Sequence, residues 1–278
     1  MKRFLIIGQG SIGKPLAERL TVHGQVMAVA TSTKAYQAPV TLLQKPAQTL
    51  TADDICGVTH IAIIITPRKQ GKVATADDYK GSYLSVCQSV TQLYRDSASQ
   101  VQLEQVLFVS STAVYGENAG EWIDERTPAV PTSPTAQVLL QAEQALQSVF
   151  GDKAVIVRPS GIYHLGSTRL IEQAKSAHHA GVPSHHYTNR IMDSDLIAIL
   201  ERILMTSTPK PIYLATDTLP VTSFDVLSFI ADTLGHPPPT PIDGAMTGKR
   251  IRHNLPDGWL AVPDYRVGYG QVMAKMAE

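Results

Sequence analysis

The sequence has few cysteines, no net charge and no long apolar segment, and each of these features excludes some classes of protein. Its 278 residues include only two cysteines, Cys56 and Cys87, without metal-ligand spacing. We therefore expect reduced structural thiols and a cytoplasmic protein. The formal net charge is +0 and no run of Lys and Arg lies beside aromatic residues, which predicts neither a nucleic-acid nor a membrane partner. No apolar run approaches the length that spans a bilayer.

The first twenty residues contain the most informative pattern of the chain. A short apolar run, Phe4–Ile7, is followed by glycines at G-x-G-x-x-G spacing and then by apolar residues at helical spacing, which predicts strand, turn and helix. In a dinucleotide-binding turn Gly8 allows the bend, Gly10 lets a pyrophosphate approach the backbone, and Gly13 lets the helix pack closely on the strand. The amides at the helix N-terminus then face the phosphate charge. We predict cofactor contacts for the whole turn: Gly8, Gln9, Gly10, Ser11, Ile12 and Gly13.

The end of the second predicted strand, Gly24–Thr31, bears on which dinucleotide is bound. An NAD site of this type has a carboxylate about 20 residues beyond the glycines, but no Asp or Glu lies between Glu18 and Asp53. Three hydroxyls and a cation occur there instead: Thr31, Ser32, Thr33 and Lys34. These groups suit a 2′-phosphate, so we favour NADP as the cofactor. An ordinary polar loop after the strand is the alternative, and it leaves NAD open.

A second apolar run, His60–Thr66, predicts a strand buried inside a parallel sheet. Ligands of open α/β sheets bind at the carboxyl ends of the strands. We therefore predict further cofactor contacts at the end of this run: Thr66, Pro67 and Arg68.

Several later segments resemble one family of enzymes. They are SSTAVYG at Ser110–Gly116 with DERTP and PTSP after it, VRPSGIY at Val157–Tyr163, NRIMDSD at Asn189–Asp195, and GKRI at Gly248–Ile251. Over nearly the whole chain these segments resemble the extended short-chain dehydrogenase/reductases, in particular the NAD-dependent epimerase/dehydratase family. Met192 stands where that family usually has a histidine.

The resemblance implies a fold and a function. The fold is α/β, with a doubly wound Rossmann sheet of about seven parallel strands in the order 3-2-1-4-5-6-7 and a small discontinuous substrate lobe. We expect residues 1–160 and 193–216 to form the dinucleotide-binding domain, and residues 161–192 and 217–278 to form the lobe. The implied function is an NAD(P)-dependent oxidoreductase or epimerase acting on a small or nucleotide-linked carbonyl or alcohol, such as a nucleotide sugar. Members often form homodimers, so a second copy is a candidate partner.

The same resemblance implies site residues. Ser111 falls where the family carries the hydroxyl that hydrogen-bonds the reacting oxygen, with a turn-capping role as the alternative. Tyr115 is the candidate stand-in acid, with a role in shaping the pocket as the alternative. Substrate contacts are expected at Thr112, Tyr163, His164, Asn189 and Arg190. For His164 a purely structural role is the alternative. We expect no metal, because the other clustered histidines have no Cys or well-placed carboxylate beside them. These are His178, His179, His185 and His186.

One departure from the family pattern concerns the two residues that the family uses for acid–base catalysis. The family follows its serine loop with Tyr-x-x-x-Lys, and alignment on Ser133 and Pro134 places Thr135 at the Tyr position and Leu139 at the Lys position. The family's tyrosine is its general acid/base, and an aliphatic hydroxyl is far too weak an acid to replace a phenol. Two hypotheses follow: an enzyme that uses another group for proton transfer, and a non-catalytic NADP(H)-binding sensor or regulatory module.

Overall fold

A computed structural model describes residues 1–67, 71–97 and 102–278 of the chain. Arg68, one of the predicted cofactor contacts, lies outside the described residues. The strands are β1 Lys2–Ile7, β2 Gly24–Ala30, β3 Val40–Gln44, β4 His60–Ile63, β5 Gln105–Val109, β6 Ala119–Ile123, β7 Ala154–Pro159, β8 Gly161–Tyr163, β9 Val182–Pro183, β10 His186–Thr188, β11 Arg190–Met192, β12 Ile212–Ala215, β13 Val221–Thr222, β14 Pro241–Ile242 and β15 Thr247–Ile251. The α-helices are α1 Gly13–Leu20, α2 Ala52–Ile55, α3 Ala76–Tyr79, α4 Ser85–Ser97, α5 Pro134–Phe150, α6 Arg169–Ala180, α7 Asp193–Met205, α8 Ser223–Thr233 and α9 Tyr265–Met276. None of these helices is long and apolar enough to cross a membrane.

Seven strands form one sheet in the order β12-β7-β5-β4-β1-β2-β3. Counted along the chain this is the predicted order 3-2-1-4-5-6-7, and the registered pairs from β3 to β7 are parallel. The predicted fold class is confirmed. Residues of β4 and β5 are buried throughout, as expected for parallel strands that are covered on both faces and read as continuous apolar runs.

The strand β4 is shorter than its apolar run predicts, because it ends at Ile63 and not at Thr66. The Ile64 amide still donates to the Ile7 carbonyl at 2.8 Å. The Ile64 carbonyl then lies against Gly8, where a β-carbon would be only 2.0 Å away. Pro67 has no amide with which to extend the ladder. The end of β4 therefore serves the glycine turn and not a longer strand.

Helix α5 begins where the sequence predicts. The Ser133 hydroxyl accepts a hydrogen bond from the Ala136 amide at 3.3 Å, and Pro134 occupies the first helical position. Leu139, Ala142 and Leu146 are buried on one face of the helix. The scaffold that carries Thr135 and Leu139 is therefore a regular, capped helix.

The chain forms two compact units. The first comprises Met1–Gly116, Ala129–Arg158 and Ile197–Tyr213, and the second comprises Glu117–Pro128, Pro159–Leu196 and Leu214–Glu278. The second unit contains a four-stranded sheet in the order β13-β10-β15-β6 and the short pairs β11-β8 and β14-β9. Buried side chains of α6, α8 and α9 form its core, among them Ile171, Ile230 and Val272.

Candidate functional site

The turn between β1 and α1 packs tightly at its outer glycines and is open at its middle one. Gly8 has φ +95°, and a β-carbon there would lie 2.0 Å from the Ile64 carbonyl oxygen. A β-carbon on Gly13 would lie 1.9 Å from the Gly8 carbonyl oxygen. A β-carbon on Gly10 would meet no described atom within 4 Å. The turn thus has the open backbone surface that a pyrophosphate requires.

The first turn of α1 leaves its amides without a side-chain cap. Ile12, which precedes the helix, makes no capping hydrogen bond, and the described first turn contains no acidic residue. The Lys14 amide donates to the Gly10 carbonyl at 3.2 Å and Pro15 has no amide, so the positive end of the helix dipole is the feature of this turn that favours an anion. The geometry of this turn therefore fits the phosphates of a dinucleotide.

The side chain of Gln9, a predicted cofactor contact, has a structural role. It is buried, and its amide nitrogen donates to the Ile6 carbonyl at 3.0 Å while its carbonyl oxygen accepts from the Tyr36 hydroxyl at 3.0 Å. Burial, with a smaller contribution from the Glu18 charge, raises the pKa of Tyr36 and keeps its phenol neutral. The bond from Tyr36 joins the turn to the loop after β2, and no local pattern in the sequence indicates it.

The residues after β2 present polar groups at the surface. Thr31, Ser32 and Thr33 are exposed, Lys34 is half-buried, and the Thr33 hydroxyl donates to the Gln44 side chain at 3.0 Å. Helix α1 brings a carboxylate to this loop, since Glu18 accepts from the Gln37 amide at 2.8 Å. At the end of β4, Thr66 is exposed and Pro67 half-buried. The loop after β2 has no acidic residue of its own, but the Glu18 carboxylate lies against it in the fold.

Ser111 begins the short 3-10 turn Thr112–Val114 after β5. Its hydroxyl oxygen accepts a hydrogen bond from the Ala113 amide at 3.1 Å, which is the turn-capping role considered above. The side chain is half-buried, as is Thr112 beside it. A serine hydroxyl that accepts one bond can also donate one, so capping the turn and orienting a substrate oxygen are compatible.

The other predicted catalytic residue, Tyr115, lies in a buried polar network of the first unit. It is 1% exposed, and its hydroxyl accepts a hydrogen bond from Arg158 Nη1 at 2.7 Å. Arg158 also donates to both carboxylate oxygens of Glu143 at 2.6 and 3.1 Å, and the Ser110 hydroxyl donates to the same carboxylate at 2.5 Å. Burial opposes the charge of Arg158, but the bonds to Glu143 hold its pKa above the ordinary value. This position gives Tyr115 a packing role and no accessible phenol.

Thr135 and Leu139, one helical turn apart, lie in the first part of α5. Thr135 is half-buried, with its hydroxyl 3.3 Å from that of Ser133, while Leu139 is 2% exposed among apolar neighbours. Neither side chain offers an acid or a cation, and Glu143 follows at the next turn of the same helix. The helix at the predicted position of the acid–base pair therefore carries neither a phenol nor an ammonium at residues 135 and 139.

The second unit contains a cavity of about 430 Å³ that is partly open to solvent, a size typical of small-molecule sites. Predicted substrate residues Tyr163, Asn189 and Arg190 line it. His164 does not line it: the side chain is exposed, and its ring nitrogen accepts from the Gly166 amide at 3.0 Å. Thr112 belongs to the first unit. The structure therefore brings together three of the five predicted substrate residues.

The side-chain amide of Asn189 is committed to the backbone of β15. Its nitrogen donates to the Lys249 carbonyl at 2.7 Å, and its oxygen accepts from the Ile251 amide at 2.9 Å. Asn189 therefore holds β15 in place, with one donor and one acceptor of its amide in use.

Asp217, which sequence reasoning missed, lies close to Arg190 and Tyr163. It is 2% exposed, and burial raises the pKa of its carboxyl to about 7 against the lowering effect of Arg190 and the Leu219 amide. Burial first, and then the nearby Asp217 charge, raise the pKa of Tyr163. A single aspartate in an ordinary loop gives no sequence signal of such a position.

A glycine turn between the first strand and first helix of a seven-stranded parallel sheet defines a Rossmann-type dinucleotide-binding fold. The model of the NAD dependent epimerase/dehydratase family matches residues 4–191, so the chain belongs to that family. NAD is the cofactor named for the family. The predicted recognition is confirmed.

Individual relatives agree with this assignment. Protein YeeZ of Escherichia coli (strain K12) is 27% identical over 170 residues, which are 58% of this chain and 59% of YeeZ. The alignment thus spans about three-fifths of that curated relative. A Methylobacillus flagellatus structure provisionally described as an NAD-dependent epimerase/dehydratase has a TM-score of 0.77 at 28% identity, covering 100% of this chain and 99% of that one.

A UDP-glucuronic acid 4-epimerase from Bacillus cereus, solved in complex with NAD, has a TM-score of 0.73. The identity is 14%, and the alignment covers 98% of this chain and 99% of that chain. This likeness supports the fold alone.

Proposed function

We propose that the chain is an NAD(P)-binding oxidoreductase of the epimerase/dehydratase type that acts on a small or nucleotide-linked carbonyl or alcohol. The observation that carries this proposal is the turn in which Gly8 and Gly13 are packed against backbone while Gly10 is open. The turn Gly8–Gly13 would hold the pyrophosphate, with residues at the ends of β2 and β4 beside it. A bound nicotinamide would supply hydride transfer.

Ser111 is proposed to orient the reacting oxygen. The Ala113 amide donates to its hydroxyl oxygen and fixes the position of that oxygen. The hydroxyl hydrogen remains available to donate to a substrate oxygen. Tyr115 is proposed to hold the serine loop in place through Arg158, because its own hydroxyl is buried. In this proposal the proton comes from the substrate or from water, and general acid help of about 10²- to 10⁴-fold is missing. We therefore expect a slow enzyme.

Replacement of Gly10 by Ala tests the cofactor site. A β-carbon has room at this position but would stand where the pyrophosphate approaches the backbone. We expect Gly10→Ala to keep the melting temperature and to weaken NADH and NADPH binding at least about tenfold, or about 1.4 kcal/mol, in calorimetric titration. Gly270→Ala is the matched control, because a β-carbon there also meets no described atom within 4 Å. Unchanged affinity in Gly10→Ala would contradict the proposed cofactor site.

A preference for NADP(H) over NAD(H) is proposed from the polar residues after β2. Lys34 is half-buried and follows the exposed Thr31, Ser32 and Thr33 in the sequence, and a cation stabilises a 2′-phosphate. We expect Lys34→Gln to weaken NADPH binding about fivefold while NADH affinity stays within about twofold, with the difference shrinking at high salt. Lys175→Gln, a change on a helix of the second unit, should alter neither. Equal losses for both cofactors would argue against a 2′-phosphate contact.

A non-catalytic NADP(H)-binding sensor or regulatory module is the second candidate. It is favoured by Leu139, which is 2% exposed where the family has a lysine. Turnover of NADPH across a panel of nucleotide sugars and simple ketones, reduced by Ser111→Ala, would support the enzyme. Activity that appears only after Thr135→Tyr combined with Leu139→Lys would support the sensor.

A further inference from the structure

The loop between β2 and β3, residues 31–39, is hydrogen-bonded to the segment that precedes β2. The Gln37 amide donates to the Glu18 carboxylate on α1 at 2.8 Å. The Tyr36 hydroxyl donates to the side-chain oxygen of Gln9, in the turn before α1, at 3.0 Å. Two neighbouring residues of the loop therefore hold it against the glycine turn and the helix that follows the turn.

The bond between Tyr36 and Gln9 joins the two segments that the proposed cofactor site uses. Gln9 lies between Gly8 and Gly10, in the turn that would hold the pyrophosphate. Tyr36 closely follows residues 31–34, which would lie beside the adenosine ribose. A bound dinucleotide would contact both segments at once, so the bond bears on its ADP-ribose part.

The Gln9 side chain needs partners inside the protein, because it is only 5% exposed. Its nitrogen donates to the Ile6 carbonyl of β1 at 3.0 Å, and Tyr36 supplies the donor for its oxygen. Without the Tyr36 hydroxyl this buried oxygen would lose its hydrogen bond, which is unfavourable. The Tyr36 hydroxyl therefore stabilises the side chain that anchors the turn on β1.

The direction of these two hydrogen bonds is set by the chemistry of the groups. The Ile6 carbonyl can only accept, so the nitrogen of the Gln9 amide must face it and the oxygen must face Tyr36. Burial, and then the Glu18 charge, raise the pKa of Tyr36 above its usual value. The phenol thus keeps the proton that it donates, and the link between loop and turn is present throughout the neutral pH range.

We infer that Tyr36 is a positioning residue of the proposed cofactor site, which holds the glycine turn and the loop after β2 in the arrangement that the ADP-ribose part of a dinucleotide requires. The inference rests on the proposed function, because it concerns the same site. Affinity increases with the fraction of free protein that is already in the binding arrangement. Loss of the Tyr36 hydroxyl therefore lowers the affinity for any ligand that contacts both segments.

Tyr36→Phe tests this role, because it removes the hydroxyl and keeps the ring. We expect NADH, NADPH and ADP-ribose to bind about three- to tenfold more weakly in calorimetric titration, with losses that agree within about twofold. Equal losses distinguish Tyr36 from Lys34, whose replacement should affect NADPH. A residue that only stabilises the fold would lower the melting temperature and leave all three affinities unchanged.

Tyr213→Phe is the matched control. The Tyr213 hydroxyl also makes a hydrogen bond, accepting from the Lys210 amide at 3.1 Å. Its strand, β12, is at one edge of the seven-stranded sheet, whereas β2 and β3 are at the other. We expect Tyr213→Phe to bind the three ligands like the parent protein.

A double variant tests whether the effect of Tyr36 acts through Gln9. Gln9→Met keeps an unbranched side chain and removes both hydrogen bonds of the amide. We expect Gln9→Met to weaken ADP-ribose binding at least as much as Tyr36→Phe does. In the Gln9→Met protein, Tyr36→Phe should then change the affinity by less than about twofold, because the bond is already absent.

Hydrogen exchange of the ligand-free protein gives a second measurement, which needs no cofactor. Tyr36→Phe should speed exchange at residues 8–13 and 31–37 by about threefold or more, because the two segments no longer hold each other. Tyr213→Phe should leave exchange at these residues unchanged.

The inference is overturned if Tyr36→Phe binds ADP-ribose like the parent protein, or if it loses affinity for NADPH alone. It is also overturned if the losses of Tyr36→Phe and Gln9→Met add up in the double variant, or if exchange at residues 8–13 is unchanged. Failure of the proposed function is distinguishable, because it appears in the parent protein as binding of none of the three ligands.

Discussion

At the scale of single residues, the buried histidine His60 in β4 affects how stability depends on pH. Its ring is buried, Nε2 lies 2.8 Å from the Lys2 ammonium, and Nδ1 lies 2.8 Å from the Thr59 hydroxyl. Lys2 can only donate, so Nε2 is the acceptor and the imidazole is neutral. Burial, and then the Lys2 charge, lower the pKa of His60 to about 4.

We expect this group to make the folded state lose stability in acid. The unfolded histidine takes up a proton near pH 6.5, and the folded one only near pH 4. Stability is therefore full above about pH 6.5 and falls as pH drops to about 4, by at most about 3 kcal/mol. Urea unfolding between pH 7.5 and 4.5 should show a smaller pH slope in His60→Gln than in the parent protein.

The pH slope has to be compared between variants, because Asp217 changes the free energy of unfolding with pH in the opposite direction. Its raised pKa favours the folded state below about pH 4, and that advantage is lost as pH rises to about 7. His179→Gln, a change of an exposed histidine, should leave the slope unchanged. An equal slope in His60→Gln and the parent protein would refute the role given to His60.

Sequence motifs predicted some contacts of single residues and missed others. The glycines of the first turn were recognisable because their spacing along the chain is itself the signal, although Gly8 packs against the distant Ile64 carbonyl. Asn189 and Tyr115 matched family motifs, but their hydrogen bonds go to β15 and to Arg158. A motif identifies the residue type at a position, whereas its partner is set by distant segments.

Between elements, the pair of Glu143 on α5 and Arg158 on β7 connects the helix to the sheet. Glu143 is 0% exposed and also accepts the hydrogen bond of Ser110, at the end of β5. Start signals at Ser133 and Pro134 predicted α5 itself. Nothing local indicated that its third turn carries a buried carboxylate for an arginine 15 positions along the chain.

A double-mutant cycle measures this connection. Glu143→Leu or Arg158→Met alone leaves a buried charge unpaired and should lower the free energy of unfolding by about 3–5 kcal/mol. The double variant should lose clearly less than the sum of the two. The exposed pair Glu172 and Lys175, 2.7 Å apart, is the reference and should couple by less than about 1 kcal/mol. Additive losses at Glu143 and Arg158, read from urea unfolding, would show that they act independently.

At the scale of the whole molecule, the two units offer different surfaces to a ligand. The first has the open glycine turn, and the second has the cavity lined by two arginines. Hydrogen exchange measured by mass spectrometry shows which backbone amides a bound ligand protects. We expect NADPH to slow exchange at residues 8–13 and 31–34. Unchanged exchange at residues 8–13 in the presence of NADPH would contradict the proposed cofactor site.

The sequence by itself determined the order and kind of the main elements, because apolar periodicity, glycine spacing and helix caps are local signals. Together with the family resemblance they specified the seven-stranded sheet. Only the tertiary structure decided which polar groups are satisfied: Gln9 by Tyr36, Tyr115 by Arg158, and Arg190 by Thr188. Hydrogen bonding and desolvation depend on groups brought together from distant parts of the chain, and spacing along the chain carries no record of them.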